Sequence, residues 1–207
     1  MKPSKNFDIK LMLSYVKNIM ENILEIKSRE EFRNWLIDNH LKEKECWVNL
    51  KRGKPVNQDV FYYLDAVEEA LCFGWIDSVY KNIDGKMYSK FSPRKKNSPW
   101  TELNKERARR LIRLNLMTPD GLKVLPDLRA SSFKIDPTLI KILKENRVYT
   151  KFKSFPKLYQ RVRAYNVMFY KDWNKEQYEK SLNHLIDSTK KGKLYGEWND
   201  YGRLLEN

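Results

Sequence analysis

The stretch WIDSVYKNIDGKMYSKFSPR, residues 75–94, constrains the fold more than any other part of the chain. Asp84-Gly85 lies near its centre, and Asp-Gly is a favoured pair for the two-residue turn of a β-hairpin. The preceding residues 59–73 place apolar side chains at helical spacing, and Gly74 follows as a helix stop. The pattern predicts a helix that leads directly into an antiparallel hairpin.

Local signals on both sides of the hairpin predict further elements. Ser28 opens a capping-box pattern that is typical of a helix N-terminus, and residues 45–53 have the pattern of a short strand. Ser98, followed by proline, predicts the start of a second long helix, and Thr118 the cap of another. We therefore predict an α+β fold, in which a small antiparallel sheet with a β-hairpin is packed by helices and followed by a mostly helical C-terminal part.

The length of 207 residues favours one or two domains. We expect an N-terminal extension at residues 1–21, an α+β domain at 22–130 and a helical region at 131–207. Met20 precedes the first strand-like segment, so Met1 and Met20 are both candidate physiological starts.

Composition excludes several classes of protein. Hydrophobic residues make up 41% of the chain and charged residues 33%, which is typical of a globular protein. No apolar run approaches the roughly 18 residues of a spanning helix, so we expect no integral membrane segment and a cytoplasmic location. The two cysteines and two histidines lack metal-ligand spacing, and we predict no metal and no cofactor.

No catalytic motif is present either. The chain contains no glycine-rich phosphate loop, no G-x-S-x-G and no dinucleotide fingerprint. We assign no catalytic residue, and an enzyme of unassigned reaction stays an alternative to a binding protein.

Positive charge is concentrated in two zones of a chain whose net charge is +14. Residues 86–113 and 141–175 each contain ten Lys and Arg against two acidic residues, a net of +8 in each zone. Such zones can attract nucleic acid, anionic lipid or an acidic protein partner, and they also raise solubility. Nucleic-acid binding through these two patches is therefore one candidate function.

Three blocks of sequence, in order, resemble a known family. EEALCFGWIDS, FSPRKKNSPWTELNKERARRLI and MTPDGL lie between about Ile23 and Leu128 and are similar to the signature of the bacterial YdeI or OmpD-associated family, also called bacteriocin-protection proteins. The resemblance implies a bacterial soluble protein without an established catalytic reaction. It points to a non-catalytic role in binding, or in stress or bacteriocin protection. The C-terminal segments depart from the common family tail.

Arg107 falls within the apolar stripe of the helix predicted after Ser98. A buried arginine needs a partner, because an unpaired charge is costly to bury. Asp77 and Glu69 are the acidic candidates within the three blocks, and we predict an ion pair between Arg107 and one of them.

The same blocks also allow a binding pocket. Tryptophan faces bind flat or cationic groups, arginine binds carboxylate or phosphate, and asparagine supplies a donor and an acceptor. We therefore predict that a small anionic ligand, or a protein partner, contacts a set of five residues: Trp75, Asp77, Arg94, Trp100 and Asn104.

Overall fold

The computed structural model describes residues 22–205, which divide into two compact units. The N-terminal unit contains residues 22–97 and Leu116–Val124, and the C-terminal unit contains Ser98–Asn115 and residues 125–205. The predicted extension at 1–21 and the alternative start Met20 lie outside the described residues. The units differ from the predicted division at residue 130, because the segment Ser98–Asn115 groups with the C-terminal part.

The elements of both units follow in chain order. The strands are β1 (Ile23–Leu24), β2 (Cys46–Asn49), β3 (Trp75–Ile83) and β4 (Lys86–Pro93). The helices of the N-terminal unit are α1 (Arg29–Asn39), α2 (Tyr63–Cys72) and α4 (Pro119–Lys123). Those of the C-terminal unit are α3 (Glu102–Arg113), α5 (Pro137–Glu145), α6 (Tyr149–Ser154), α7 (Lys157–Met168) and α8 (Lys175–Lys190), with 3₁₀ segments at Ala130–Ser132 and Asp200–Leu205.

The sheet has the order β1-β2-β4-β3. β3 and β4 form the predicted hairpin, with Ile83 opposite Lys86 and the turn at Asp84-Gly85. β2 is antiparallel to β4, whereas β1 is parallel to β2. A crossover through α1 joins β1 to β2, and such a connection permits parallel pairing. The α+β prediction is confirmed, with one parallel pair at the edge of the sheet.

Two predicted helix caps are confirmed. The backbone N–H of Glu31 donates to Ser28 Oγ at 3.1 Å. The Glu31 carboxylate accepts from the backbone N–H of Lys27 at 2.8 Å. The N–H of Gly121 donates to Thr118 Oγ1 at 3.2 Å. Each hydroxyl satisfies a donor that the first helical turn leaves without a backbone acceptor.

The helix predicted from Ser98 begins later, at Glu102. Thr101 has an extended backbone with φ −66° and ψ 151°, and its hydroxyl accepts from the Asn104 N–H at 3.0 Å. Thr101 therefore takes the capping role that the sequence assigned to Ser98, since a Ser-Pro pair and a Thr-Glu pair stand three residues apart and both fit a helix start.

The N-terminal unit has an aromatic core. The ring of Phe32 on α1 lies 5.8 Å from that of Phe61 and 5.4 Å from that of Phe91 on β4. Cys46 and Cys72 are buried, as expected for cysteines that behave as small apolar side chains.

The C-terminal unit has a core of its own. Helices α5 to α8 and the segment before residue 205 contribute its buried members, which are Leu139, Leu143, Val148, Phe152, Leu158, Tyr159, Val162, Ala164, Val167, Leu185, Ile186, Trp198 and Leu204. Leu103 of α3 packs against this cluster, which explains why α3 belongs to the C-terminal unit. Among residues 22–205, every helix is too short or too polar to cross a membrane.

Candidate functional site

Trp75 and Arg94, two of the five predicted site residues, lie together where β3 begins and β4 ends. Trp75 is 1% exposed, meets Trp35 edge to face at 5.8 Å and donates through Nε1 to the His40 carbonyl at 3.1 Å. The Arg94 side chain is also buried, and its backbone N–H donates to the Gly74 carbonyl at 2.9 Å. Both side chains are therefore part of the interior at this end of the hairpin.

Asp77 lies further along β3. Its side chain contacts Tyr63, which in turn contacts Arg52. The Tyr63 hydroxyl donates to Asp77 Oδ2 at 2.6 Å. The guanidinium carbon of Arg52 lies 3.8 Å from the centroid of the Tyr63 ring and 4.2 Å from that of Tyr80. Asp77 is thus held by a tyrosine that itself supports a cation–π contact.

Trp100 and Asn104 belong to the C-terminal unit, so the five predicted residues divide three to two between the units. Trp100 precedes α3 and is half-buried. Asn104 lies in the first turn of α3, where its Oδ1 accepts from Arg107 Nη1 at 2.7 Å. Asn104 therefore helps to orient Arg107.

Arg107 is buried and paired, as its place in the apolar stripe required, but its partner is Asp200. Nε donates to Asp200 Oδ2 at 2.7 Å and Nη2 to Oδ1 at 2.8 Å, which is a bidentate pair. The arginine is 8% exposed and the aspartate 3%. The structure thus gives Arg107 a partner that the sequence prediction did not consider, 93 positions away along the chain.

Glu69, a predicted partner of Arg107, is bound by two other arginines. Arg29 Nε donates to Glu69 Oε1 at 2.5 Å, and Arg33 Nη1 donates to Oε2 at 2.7 Å. Arg29 also reaches Glu68 Oε2 at 3.0 Å. These bonds connect α1 to α2, which explains why α2 can bury two adjacent glutamates.

Cys72 follows these glutamates and is chemically inert. Burial, assisted by the charge of Glu69, raises the pKa of the Cys72 thiol to about 12. A nucleophilic cysteine needs a thiolate near neutral pH, and this thiol stays protonated there.

A cavity of about 480 Å³ lies within the C-terminal unit, between α7, α8 and the segment at Tyr195. Its aromatic lining residues are Tyr165, Phe169, Tyr170 and Tyr195. The basic ones are Arg163, Lys180 and His184. The remaining ones are Thr101, Asn166, Val167, Gln177 and Ser181. The volume is in the range of small-molecule sites.

Helical spacing brings these side chains into the cavity. On α7, Asn166 and Val167 follow Arg163 by three and four positions, and one side of a helix presents such residues together. On α8, Ser181 follows Gln177 by four positions, and the Gln177 Nε2 donates to the Ser181 hydroxyl at 3.1 Å. Two neighbouring helices therefore turn polar sides toward the same space.

Arg163 is held against aromatic rings and a glycine. Its guanidinium carbon lies 4.6 Å from the centroid of the Tyr195 ring and 5.8 Å from that of Tyr159. A Cβ atom at Gly196 would stand 2.5 Å from Arg163 Nη2, so only a glycine leaves room for this guanidinium position. The ring of His184 lies 4.1 Å from that of Tyr195.

The tyrosines beside Arg163 stay neutral at physiological pH. Burial raises the pKa of Tyr195 above its ordinary value, and the positive charge of Arg163 acts against this rise. Burial likewise raises the pKa of Tyr159 to about 12. The charge of Arg163 is therefore not neutralised by a phenolate.

No carboxylate neutralises it either. Within residues 22–205, no Asp or Glu lines the cavity, and neither Arg163 nor Lys180 forms an ion pair. Two basic side chains, Arg163 and Lys180, and four aromatic rings surround a small space. Such a lining suits an anion, since it offers charge-assisted donors without a competing acceptor charge.

Sequence reasoning missed Arg163, Tyr195 and Gly196. A signal existed, since Arg163 lies in the basic zone 141–175 and the Tyr-Gly pair in a glycine- and aromatic-bearing tail. Polar residues at helical spacing are, however, also the pattern of an ordinary solvated helix face. Only the approach of α7, α8 and residues 195–196 distinguishes the two.

Comparison with known proteins yields one match. A family model described as a domain of unknown function (DUF8412) matches residues 24–124. No curated protein and no solved structure matches the chain. The matched range covers the five predicted site residues and ends before α7 and α8, which line the cavity.

Proposed function

We propose that this protein is a non-catalytic binding protein of the YdeI or OmpD-associated type that holds a small anionic ligand in the cavity of its C-terminal unit. A cytoplasmic location and a role in stress or bacteriocin protection are part of the same proposal. The three sequence blocks support the family, and the cavity supports the ligand class.

One observation carries the ligand class, namely an arginine that lies against aromatic rings and Gly196 and that no carboxylate of residues 22–205 contacts. Paired arginines elsewhere in the unit, such as Arg107, have their hydrogen-bonding edge occupied by protein. Arg163 instead lies over the Tyr195 ring, 4.6 Å from its centroid, and forms no hydrogen bond or ion pair within residues 22–205, so its N–H donors are available to a ligand.

Titration with a panel of small anions tests the proposal. We expect Arg163→Gln to weaken the binding of any anion that the native protein takes by about 10- to 100-fold, since a hydrogen bond to a charged group contributes about 1.5–3 kcal/mol. Isothermal titration calorimetry on the full chain measures the effect. Folding of the variant is checked by its thermal unfolding, which we expect to change little, because Arg163 makes no ion pair in residues 22–205.

Arg113→Gln is the matched control. Arg113 lies on α3 of the same unit, is exposed and does not line the cavity. It removes the same charge, so equal weakening by both variants would mean that net charge and not the cavity attracts the anion. An absence of binding across carboxylates, phosphates and sulfates would overturn the proposal.

Nucleic-acid binding is a second candidate, which the exposed aromatic rings favour. Trp173 is 63% exposed and Phe169 45%, and they meet edge to face at 5.7 Å within the basic zone 141–175. Exposed rings among cations can stack on unpaired bases. Fluorescence anisotropy with a single-stranded oligonucleotide tests this, and we expect the affinity to fall steeply as salt rises. Salt-insensitive binding, or none, contradicts it.

A further inference from the structure

Aromatic rings line the cavity together with its basic side chains, and they indicate what shape of ligand it takes. Phe169 and Tyr165 stack with centroids 6.1 Å apart and planes at 29°, and Tyr170 meets Phe169 edge to face at 5.2 Å. Phe169 keeps 45% of its surface exposed although it lines the cavity. A flat apolar surface of this kind is best covered by another flat ring, because offset and edge-to-face pairs add to the burial of area.

Two side-chain amides lie beside these rings. Gln177 uses Nε2 to donate to Ser181, which leaves its carbonyl oxygen as an acceptor. The Asn166 side chain forms no hydrogen bond within the part of the chain that the structure describes. Amides that are not engaged by protein can bond to polar atoms at the edge of a ring and select among rings.

Arg163 supplies the complementary end of the site. It lies against Tyr195 and Gly196, and a planar guanidinium matches the two oxygens of a carboxylate or phosphate. Lys180, which is exposed and unpaired in residues 22–205, adds a second positive charge at the same cavity. The volume of about 480 Å³ accommodates a ring system together with such a group.

We infer that the cavity takes a planar aromatic ring that carries an oxyanion, either carboxylate or phosphate. The oxyanion binds Arg163 and Lys180, the ring packs on Phe169 and its neighbours, and the amides contact the polar edge of the ring. This inference rests on the proposed anion-binding function and adds the ring to it.

Matched ligand pairs test the ring separately from the charge. Benzoate and cyclohexanecarboxylate have the same charge and nearly the same size, but only benzoate is flat and aromatic. Phenyl phosphate and cyclohexyl phosphate form the corresponding pair for phosphate. We expect the aromatic member of at least one pair to bind about 3- to 10-fold more tightly, the ratio that ring pairing contributes. Titrations of the full chain followed by NMR measure the dissociation constants, and the pair that discriminates identifies the oxyanion.

Phe169→Leu is the variant that isolates the ring contact. We expect it to reduce the ratio within the discriminating pair toward one, while leaving the affinity for the non-aromatic member nearly unchanged. Tyr80→Leu is the control, since Tyr80 is comparably exposed, at 46%, and does not line the cavity. Phe169 is partly exposed, so the variant removes little buried area from the core.

The outcomes separate the two proposals. If both members of each pair bind equally well and Arg163→Gln weakens both, the ring inference fails and the anion-binding function stands. If no anion of either pair binds, the ring inference fails, and the anion-binding function fails with it only if the wider panel of carboxylates, phosphates and sulfates also shows no binding. Discrimination that Phe169→Leu leaves unchanged would overturn the assignment of the ring to this cavity.

Discussion

Two arginines of the C-terminal unit show how differently one side chain can be used. Arg107 on α3 is 8% exposed and forms a bidentate pair with Asp200. Arg163 on α7 has no carboxylate partner in residues 22–205 and packs on Tyr195 beside Gly196. The first arginine donates its hydrogen bonds to a carboxylate of the protein, whereas the second lies over an aromatic ring and pairs with no carboxylate of residues 22–205.

A nearby arginine on the same helix as Arg163 is paired with carboxylates. Arg161, two positions earlier on α7, pairs with Glu106 of α3 at 2.9 Å and lies 3.4 Å from Glu102. Within residues 22–205 the unit therefore provides carboxylates to Arg161, which connects α7 to α3, and none to Arg163 at the cavity. Charge pairing separates the structural arginines from the one proposed to bind an anion more clearly than burial does.

The largest expected effect comes from breaking the Arg107 pair. Asp200→Asn removes the carboxylate of a buried bidentate pair, and we expect a loss of about 3–5 kcal/mol in the free energy of unfolding. Asn tolerates the positive φ of 50° at this position, so the loss reports the charge and not the backbone. Urea denaturation measures it.

The control for that variant is Asp187→Asn. Asp187 is an exposed residue of α8 for which we expect a change within about 0.5 kcal/mol. A loss at Asp200 no greater than at Asp187 would mean that the buried pair does not hold α3 to the segment at Asp200.

An intermediate effect is expected from Gly196→Ala, which tests the position of the Arg163 guanidinium beside this glycine. The positive φ of 65° costs an alanine about 1–2 kcal/mol, and its Cβ would also displace the Arg163 guanidinium. We therefore expect a moderate loss of stability together with a loss of anion affinity of roughly 10-fold.

Gly192→Ala separates the two causes. Gly192 has nearly the same φ, 67°, but an added Cβ would meet only Lys151 at an ordinary distance of 3.7 Å. We expect a similar loss of stability without a loss of affinity, as compared by thermal unfolding and calorimetric titration. Equal affinities for the two variants would show that Gly196 does not position Arg163.

The smallest effect concerns the tyrosines and appears only at alkaline pH. Because burial raises the pKa of Tyr159 to about 12, the unfolded chain releases this proton first as pH rises above the ordinary value of 10. The contribution of Tyr159 to stability is therefore complete below pH 10 and falls between pH 10 and about 12. Tyr159→Phe removes this part of the pH dependence.

The positive charge of Arg163 opposes the rise in pKa that burial causes at both tyrosines, so its removal should raise the pKa values. We expect Arg163→Gln to raise the pKa of Tyr195 further, whereas Arg113→Gln leaves it unchanged. Ultraviolet titration of phenolate absorbance measures the shift. A downward shift would contradict the packing of Arg163 on the Tyr195 ring.

Much of the fold was predictable because its signals are local. The Asp84-Gly85 turn, the Ser28 and Thr118 caps and the strand at Cys46–Asn49 each depend on a few consecutive residues. The start of α3 was predicted at Ser98 instead of Glu102, because two adjacent cap patterns compete and only the extended backbone at Thr101 decides between them.

The candidate site was much less predictable. The five residues chosen from sequence lie in blocks that suggested a pocket, but Trp75 is buried against Trp35 and Asn104 bonds to Arg107. The cavity instead combines residues of α7 and α8 with Tyr195, which are each ordinary in their own sequence context. The binding role proposed for them depends on their lying near one another, and helical periodicity does not show that.

The sequence alone determined the α+β class, the hairpin, several helix caps and the need of Arg107 for a buried partner, since turn chemistry, helical period and the cost of an unpaired charge act over short distances. Tertiary structure decided which partner satisfies Arg107, because Asp200 is 93 positions away. It also decided that Arg163 lies against aromatic rings and away from every carboxylate of residues 22–205, and this placement makes it a candidate for binding an anion.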